Sequence, residues 1–473
     1  MKDWMHALAG HYEDTRRRFP QEPLLILFDI DGTILDMRYL TLHVMKEFDR
    51  IHGTCHFREL EVERLNFHEN QILDFLGDLG LEAGEIERVV RWYEKNRWGH
   101  DAVMQSHRPY RGVLEVIRWF QIQPNAFVGL NTGRPESLRE ETLRSLNALG
   151  REHRVDFRSD LLFMNPSSNW EGDILQAKVA GIRHFQEEGY RVAAFIDNEP
   201  ANLKAVADSE VAGDVLLLHA DTLFESPLGH RPARSLSGRE YNLTELLSEE
   251  RLPPHVQLIW QGVNDEANLR QFLASNIRWG EMDIRLQDEE SLEVSSFLSR
   301  LRGSDKSVLL DLHDGGNCLD RVIDALHVCD FPESRLGFKG ELNRIEESGV
   351  RLLSVAFPGS LLQCSIDFLV PMLAAAPEQA KRFLDRMVNW GINRFGLSWA
   401  ILKPGGPALE QLEKWGYPVA LEEVPDLEAF LKASLLLPAA IASDFNFPQW
   451  CYYGRGAGGP KRPHLYQAKA LAP

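Results

Sequence analysis

The run Leu24-Leu-Ile-Leu-Phe-Asp-Ile-Asp-Gly-Thr-Ile-Leu35 constrains this chain more than any other stretch. Leu24 to Phe28 are five apolar residues without a polar break, the pattern of a strand buried on both faces of a parallel sheet. Asp29 and Asp31 follow, two positions apart, so an extended backbone turns both carboxylates to one side. Gly32 lets the chain leave sharply, because it has no Cβ. Acids at the carboxyl end of a central parallel strand stand where open α/β sheets bind ligands. Two like charges this close call for a cation or a shared proton.

Three further pieces follow in order. Ala126-Phe-Val-Gly-Leu-Asn-Thr-Gly-Arg134 is an apolar strand ending in a hydroxyl and a glycine, and Pro135 is suited to start a helix. Thr132 is thereby placed to donate to a phosphate oxygen near helical amides. Lys178 lies near the start of a helix that follows a strand around Leu161 to Met164. Val192-Ala-Ala-Phe-Ile-Asp-Asn-Glu199 is another buried strand ending in carboxylates, and a strand from Val215 to His219 completes the sheet.

Taken together, these pieces resemble the signature of the haloacid dehalogenase superfamily of phosphohydrolases, over roughly residues 20–225. The resemblance implies a Rossmann-like parallel sheet with Asp29 as nucleophile and Asp31 as general acid and base. It implies that Gly32, Thr132, Gly133 and Lys178 surround the phosphate of a small phosphorylated substrate. It also implies Mg2+ held by Asp29, Asp197 and the backbone carbonyl of Asp31. The chain departs from the family in placing Asn198 and Glu199 where two adjacent acids or a Gly-Asp start are commoner; Glu199 is a candidate to orient a metal-bound water. Arg134 either faces the phosphate or lies in solvent. Dehalogenation is not expected, since that branch lacks the second aspartate and the metal. The interval from about Asp36 to Asn125 reads as helical, with Ile86, Val89, Val90 and Tyr93 forming one apolar stripe. It resembles the family's mobile cap, which closes over the site and selects the substrate. The chain returns to the core through Arg108 to Val113.

Residues 226–254 read as a linker, rich in proline, glycine and serine from Ser226-Pro227 to Pro253-Pro254, with a short amphipathic piece at Leu243 to Leu247. A second alternation of strand and helix starts at His255, with strands near Val256–Trp260, Glu281–Leu286, Val308–Leu312, Leu336–Lys339, Leu352–Phe357, Arg394–Trp399, Pro418–Glu422 and Ala440–Ser443. Eight alternations fit a (β/α)8 barrel, with an open α/β sheet as the alternative. Polar residues collect at the strand ends: Gln261, Glu281, Asp283, Asp311, His313, Glu341 and Asp444. This pattern resembles the glycerophosphodiester phosphodiesterase superfamily and, more distantly, the menorin-like proteins. The resemblance implies a second metal site at Glu281, Asp283 and Asp311. Gln261 stands where that family has a catalytic histidine, and an amide is no general base. Gly454, Gly456 and Gly459 match a dinucleotide loop only in spacing, since no buried strand leads into them and Pro460 and Pro463 break any following helix.

The expected organisation is therefore a phosphohydrolase-like domain at 1–225 with a cap at about 36–125, a linker at 226–254, a barrel at 255–452 and a flexible tail at 453–473. Hydrophobic content of 44% and charged content of 26% are those of a globular protein. No apolar run approaches membrane-spanning length, and the first residues lack the core of a signal peptide. The five cysteines (Cys55, Cys318, Cys329, Cys364 and Cys451) show no zinc or redox spacing, so a cytoplasmic location is expected. A net charge of −18 argues against a nucleic-acid surface, and no membrane partner is expected. The oligomeric state is open. The functional expectation is a magnesium-dependent phosphatase; the alternatives are a two-domain binding scaffold and a bifunctional phosphodiesterase–phosphatase.

Overall fold

The computed structural model describes residues 4–65, 67, 71–169, 172–222, 231–246, 257–275, 277–284, 291–313, 317–402, 407–443, 445–446, 451–452 and 464–465. The chain divides into two compact units, Met1–Ser248 and Glu249–Pro473.

The first unit opens with α1 (Trp4–Arg18), β1 (Leu24–Phe28) and α2 (Met37–His52). Three more helices follow, α3 (Ile72–Asp78), α4 (Ala83–Asn96) and α5 (His100–Ser106), then α6 (Val113–Gln121). The core continues through β2 (Ala126–Pro135), α7 (Arg139–Gly150), β3 (Leu162–Asn165), α8 (Ile174–Glu187), β4 (Arg191–Asp197), α9 (Pro200–Ala207), β5 (Leu216–Ala220) and β6 (Leu236–Gly238). The sheet is wholly parallel, in the order β3-β2-β1-β4-β5-β6. β1 is thus central and entirely buried, which its unbroken apolar run requires. Leu25 and Leu27 pack with Ile182 and Phe185 of α8 and Leu203 and Val206 of α9. Each such side chain removed from water contributes about 1.5–3 kcal/mol. Strand alternation then points Asp29 to the same side, toward α8.

Two expectations need correction here. The helical insert is pinched off earlier than expected: Asp36 N–H donates to Arg108 O (2.8 Å) and Tyr110 N–H to Ile34 O (2.9 Å), pairing the outgoing and returning segments. α6 therefore lies outside the insert; its Phe120 ring meets Tyr12 of α1 edge-on at 5.3 Å. Part of the stretch expected as a linker is structured. β6 extends the sheet, and Tyr241, Leu243 and Leu246 are buried. Trp4 supplies the reason, lying on Gly238, where a Cβ would come within 2.0 Å of the indole, and meeting the Tyr241 ring at a tilt of 54° with centroids 5.0 Å apart. Ser226, Pro227, Gly229 and the Pro253-Pro254 pair lie outside the described residues.

The second unit is a closed parallel barrel. Its elements are β7 (Gln257–Trp260), α10 (Glu266–Ala274), β8 (Trp279–Ile284), α11 (Ser291–Arg302), β9 (Ser307–Leu312), α12 (Asn317–Cys329), β10 (Leu336–Glu341), α13 (Leu342–Ala356), β11 (Leu361–Ser365), α14 (Val370–Ala375), α15 (Pro377–Trp390), β12 (Arg394–Ser398), α16 (Pro407–Lys414), β13 (Val419–Val424), α17 (Leu427–Leu435) and β14 (Ala440–Ser443). β14 pairs with β7 to close the ring. The fifth strand is Leu361–Ser365, not Leu352–Phe357. The latter ends α13, whose Ile345, Gly349, Val350 and Leu353 are buried at helical spacing while Val355 is exposed. The true strand is short and interrupted by Gln363, which hid it. Inside the barrel, Ile259, Leu309, Ala420, Ala440 and Ala442 form an apolar layer with Trp279 and Leu361. Three short strands, β15 (Phe445–Asn446), β16 (Cys451–Tyr452) and β17 (His464–Leu465), form a separate antiparallel sheet. His464 and Leu465 are therefore paired, although they fall in the stretch expected to be flexible. Asp444, Gly454, Gly456 and Gly459 lie outside the described residues. No described helix is long and apolar enough to cross a membrane.

Candidate active site

The parallel strands bring Asp29, Asp197 and Lys178 together at their carboxyl ends. Asp29 follows β1 directly, and its N–H donates to Ile196 O (2.8 Å), which sets it beside Asp197 at the end of β4. Lys178, on the first turns of α8, donates from Nζ to Asp29 Oδ1 and to the carbonyl of Asn131 (2.8 Å), and lies 3.0 Å from Asp197 Oδ2. All three side chains are buried. Asn131 also donates its amide to Lys178 O (2.8 Å), clamping β2 to the helix that presents the lysine. Asp197 is fixed by Glu199 N–H (2.8 Å) and by Asn202 Nδ2, 3.1 Å from both carboxylate oxygens.

Burial, reinforced by Asp197 and Asp31, pushes the Asp29 carboxyl up to about 8 against the opposing pull of Lys178. Burial also disfavours the Lys178 ammonium, but Asp197 and Asp29 hold its pKa above the ordinary value. Two buried carboxylates thus face one ammonium. A further cation with oxygen ligands fits that imbalance, and hard carboxylate donors suit Mg2+.

The turn after Asp29 is built around Gly32 at φ +80°, where a Cβ would lie 2.4 Å from Asn198 Nδ2. Thr33 Oγ1 donates to Asn198 Oδ1 (3.3 Å). Thr222 Oγ1 donates to Gly32 O (2.7 Å), and the Tyr241 hydroxyl to Thr33 O (2.8 Å). Asn198 therefore packs against the turn that follows Asp29. Gly32→Ala should cost about 1–2 kcal/mol from backbone strain alone, and more from the clash. Urea unfolding checks this. Asn198→Ala should relieve part of the loss in the double variant but none of the strain.

Asp31 is engaged by Arg134, which donates from Nε to Oδ2 (2.7 Å) and from Nη2 to Oδ1 (2.6 Å). Arg134 is 1% exposed and so does not lie in solvent; two of its nitrogens are taken up by Asp31. Thr132 is buried within β2, where its Oγ1 accepts from Arg134 N–H (3.2 Å). A Cβ on Gly133 would press on Ile174 of α8 at 3.2 Å. β2 runs on through Pro135, and α7 starts only at Arg139, after a single tight turn. Asn131, Asn202 and the Arg134–Asp31 pair were not read from sequence. Of these, only Arg134 carried a signal, as a lone cation beside the threonine.

In the barrel, Glu281, Asp311 and Glu422 surround Lys339 Nζ at 3.2, 3.4 and 3.9 Å. Gln261 Nε2 donates to Glu281 Oε1 (3.3 Å). Glu281 thus faces a lysine and an amide. Among the described residues, ligand atoms of Asp283, Asp311 and His313 all lie within 4.8 Å of one another. Lys339 was missed, although its parity on β10 points it to the same interior as Glu281. Burial raises the Glu422 carboxyl, with Lys339 and Gln363 opposing.

No protein-family model and no curated protein sequence matches the chain. Solved structures resemble parts of it. A protein assigned as a glycerophosphodiester phosphodiesterase from Galdieria sulphuraria shares 13% identity, covering 41% of this chain and 95% of its own, with a TM-score of 0.32. A protein assigned as a phosphoglycolate phosphatase from Lactobacillus plantarum shares 17%, covering 48% and 99%, with a TM-score of 0.29. A haloacid dehalogenase-superfamily hydrolase from Geobacter sulfurreducens shares 15%, covering 44% and 93%, also with a TM-score of 0.29.

Proposed function

We propose that the first unit is a magnesium-dependent phosphatase acting on a small phosphomonoester. The observation that supports it best is Lys178 Nζ set between the buried carboxylates of Asp29 and Asp197 at the carboxyl ends of adjacent parallel strands. In this reading an Asp29 oxygen attacks phosphorus and the ester bond breaks, leaving an aspartyl-phosphate. Asp31 gives its proton to the departing oxygen, then takes one from the water that attacks phosphorus and frees Asp29. Lys178 and Thr132 hold the non-bridging oxygens as charge develops. Asp29, Asp197 and the Asp31 carbonyl would hold Mg2+, which when bound offsets the negative charge of the phosphate. The insert between Asp36 and Arg108 selects the substrate. A screen of phosphorylated metabolites with magnesium or with chelator tests this. Turnover with magnesium should fall at least about 10²-fold under chelator; no magnesium-dependent turnover across the screen would overturn the reading.

For the barrel we propose divalent-cation binding at Asp283 and Asp311 with weak or no phosphodiesterase activity, because Gln261 offers no general base. Lys339 takes the place of a metal at Glu281. Calorimetric titration of an Asp29→Asn/Asp197→Asn chain should give binding that is lost with Asp283→Asn and kept with Glu281→Gln. Binding that instead required Glu281 would restore the ligand set expected from sequence.

A further inference from the structure

Arg134 is bound on every side by groups of fixed polarity. Its fork holds both oxygens of Asp31, Nη1 donates to Thr142 Oγ1 of α7 (3.0 Å), and Nη2 lies 3.2 Å from His107 Nε2. A guanidinium only donates, so His107 accepts at Nε2 and carries its proton on Nδ1. Nδ1 then donates to Ser145 Oγ (2.6 Å), and Ser145 donates to Val103 O of α5 (3.3 Å). The Trp98 ring covers the guanidinium at 5.0 Å. Trp98, Val103 and His107 all belong to the insert between Asp36 and Arg108, whereas Asp31, Arg134, Thr142 and Ser145 belong to the core. His107, Thr142 and Ser145 are buried, and burial together with Arg134 depresses His107 to about 3, which keeps the ring a neutral acceptor.

We propose that Arg134 is a positioning residue that ties the orientation of the Asp31 carboxylate to the helical insert through Trp98, His107 and Ser145. The inference rests on the phosphatase reading. Its function is to make the step that needs Asp31 as base, hydrolysis of the phosphoenzyme, depend on where the insert sits. Binding energy from the organic part of a substrate, spent on the insert, reaches the reacting centre through this route.

The test uses rapid quench with p-nitrophenyl phosphate, whose leaving group needs no proton. Arg134→Lys keeps the charge and loses the fork. Phosphoenzyme formation should keep its wild-type burst. Its hydrolysis should slow about 10–100-fold, so that kcat and KM fall together while kcat/KM stays within about twofold. Trp98→Leu, which touches no reacting atom, should slow the same step, and the two changes together should be less than additive. His107→Gln, which keeps an acceptor toward Arg134, should hydrolyse faster than His107→Leu, and this pair carries the test if Arg134→Lys folds poorly. Normal phosphoenzyme hydrolysis in all these variants, or a loss confined to KM and thermal stability, would overturn the proposal. Absence of any phosphoenzyme in the wild type would instead reject the phosphatase reading.

Discussion

An Asp29→Asn chain should hydrolyse phosphomonoesters about 10⁴–10⁶-fold more slowly than wild type, the scale seen when an essential nucleophile is removed. The loss should come without unfolding. Asparagine keeps the shape, and the site then holds one carboxylate, Asp197, against one ammonium, Lys178. In the wild type, burial sets the Asp29 pKa near 8, so ionising it at neutral pH costs stability when no cation is bound. Asp29→Asn should therefore melt at or above the wild-type temperature in chelator at pH 8, a trade of stability for function. A folded variant with near wild-type turnover would remove Asp29 from the chemistry.

Lys178→Met should produce the largest loss of stability, about 3–5 kcal/mol, as expected when one partner of a buried ion pair is deleted. Methionine keeps the volume but leaves Asp29 and Asp197 facing each other without the ammonium. The effect has a defined pH dependence. A carboxyl whose folded pKa is raised stabilises the fold at pH values below its ordinary pKa of about 4, and that contribution is lost as pH rises through the folded value. Lys178 is the group that lowers the Asp29 pKa, so its removal raises that pKa beyond about 8. The difference between wild type and Lys178→Met should thus change little from pH 5 to pH 7 and grow as pH rises through about 8 toward pH 10. Adding Asp29→Asn to Lys178→Met should recover much of the stability at pH 8. Denaturant unfolding across this pH range, in chelator, measures all of this. A loss independent of pH would mean that Lys178 acts by packing alone.

Most of the first unit's core was legible because strand register carries the motifs. An apolar run ending in Asp29 specifies both a buried strand and where its carboxylate goes, and Asp197 repeats the pattern one strand away. Lys178 was legible only through order in the chain, because a lysine near a helix start says nothing about burial until the sheet is assembled. What escaped was tertiary. Arg134 carries a formal charge that sequence reasoning assigns to solvent or ligand, whereas the fold buries it against Asp31. The extra strand at Leu236 is held by Trp4 and Tyr241, residues far apart in sequence. In the barrel, the alternation of elements was clear, but the end of α13 reads as a strand from sequence, because the largely apolar stretch 350–357 serves either period over so short a length. Glu281 and Asp283 share a face by their spacing, but the lysine of β10 that lies 3.2 Å from Glu281 is not visible from that spacing.

The central claim is that Asp29 becomes phosphorylated. The most direct measurement is acid quench within the first turnover of a phosphomonoester from the screen, followed by peptide mass spectrometry. A phosphoryl group on the peptide containing Asp29, absent in Asp29→Asn and discharged on continued incubation with magnesium, is the result predicted. Turnover of the phosphomonoester with Asp29 never modified at any quench time would contradict it.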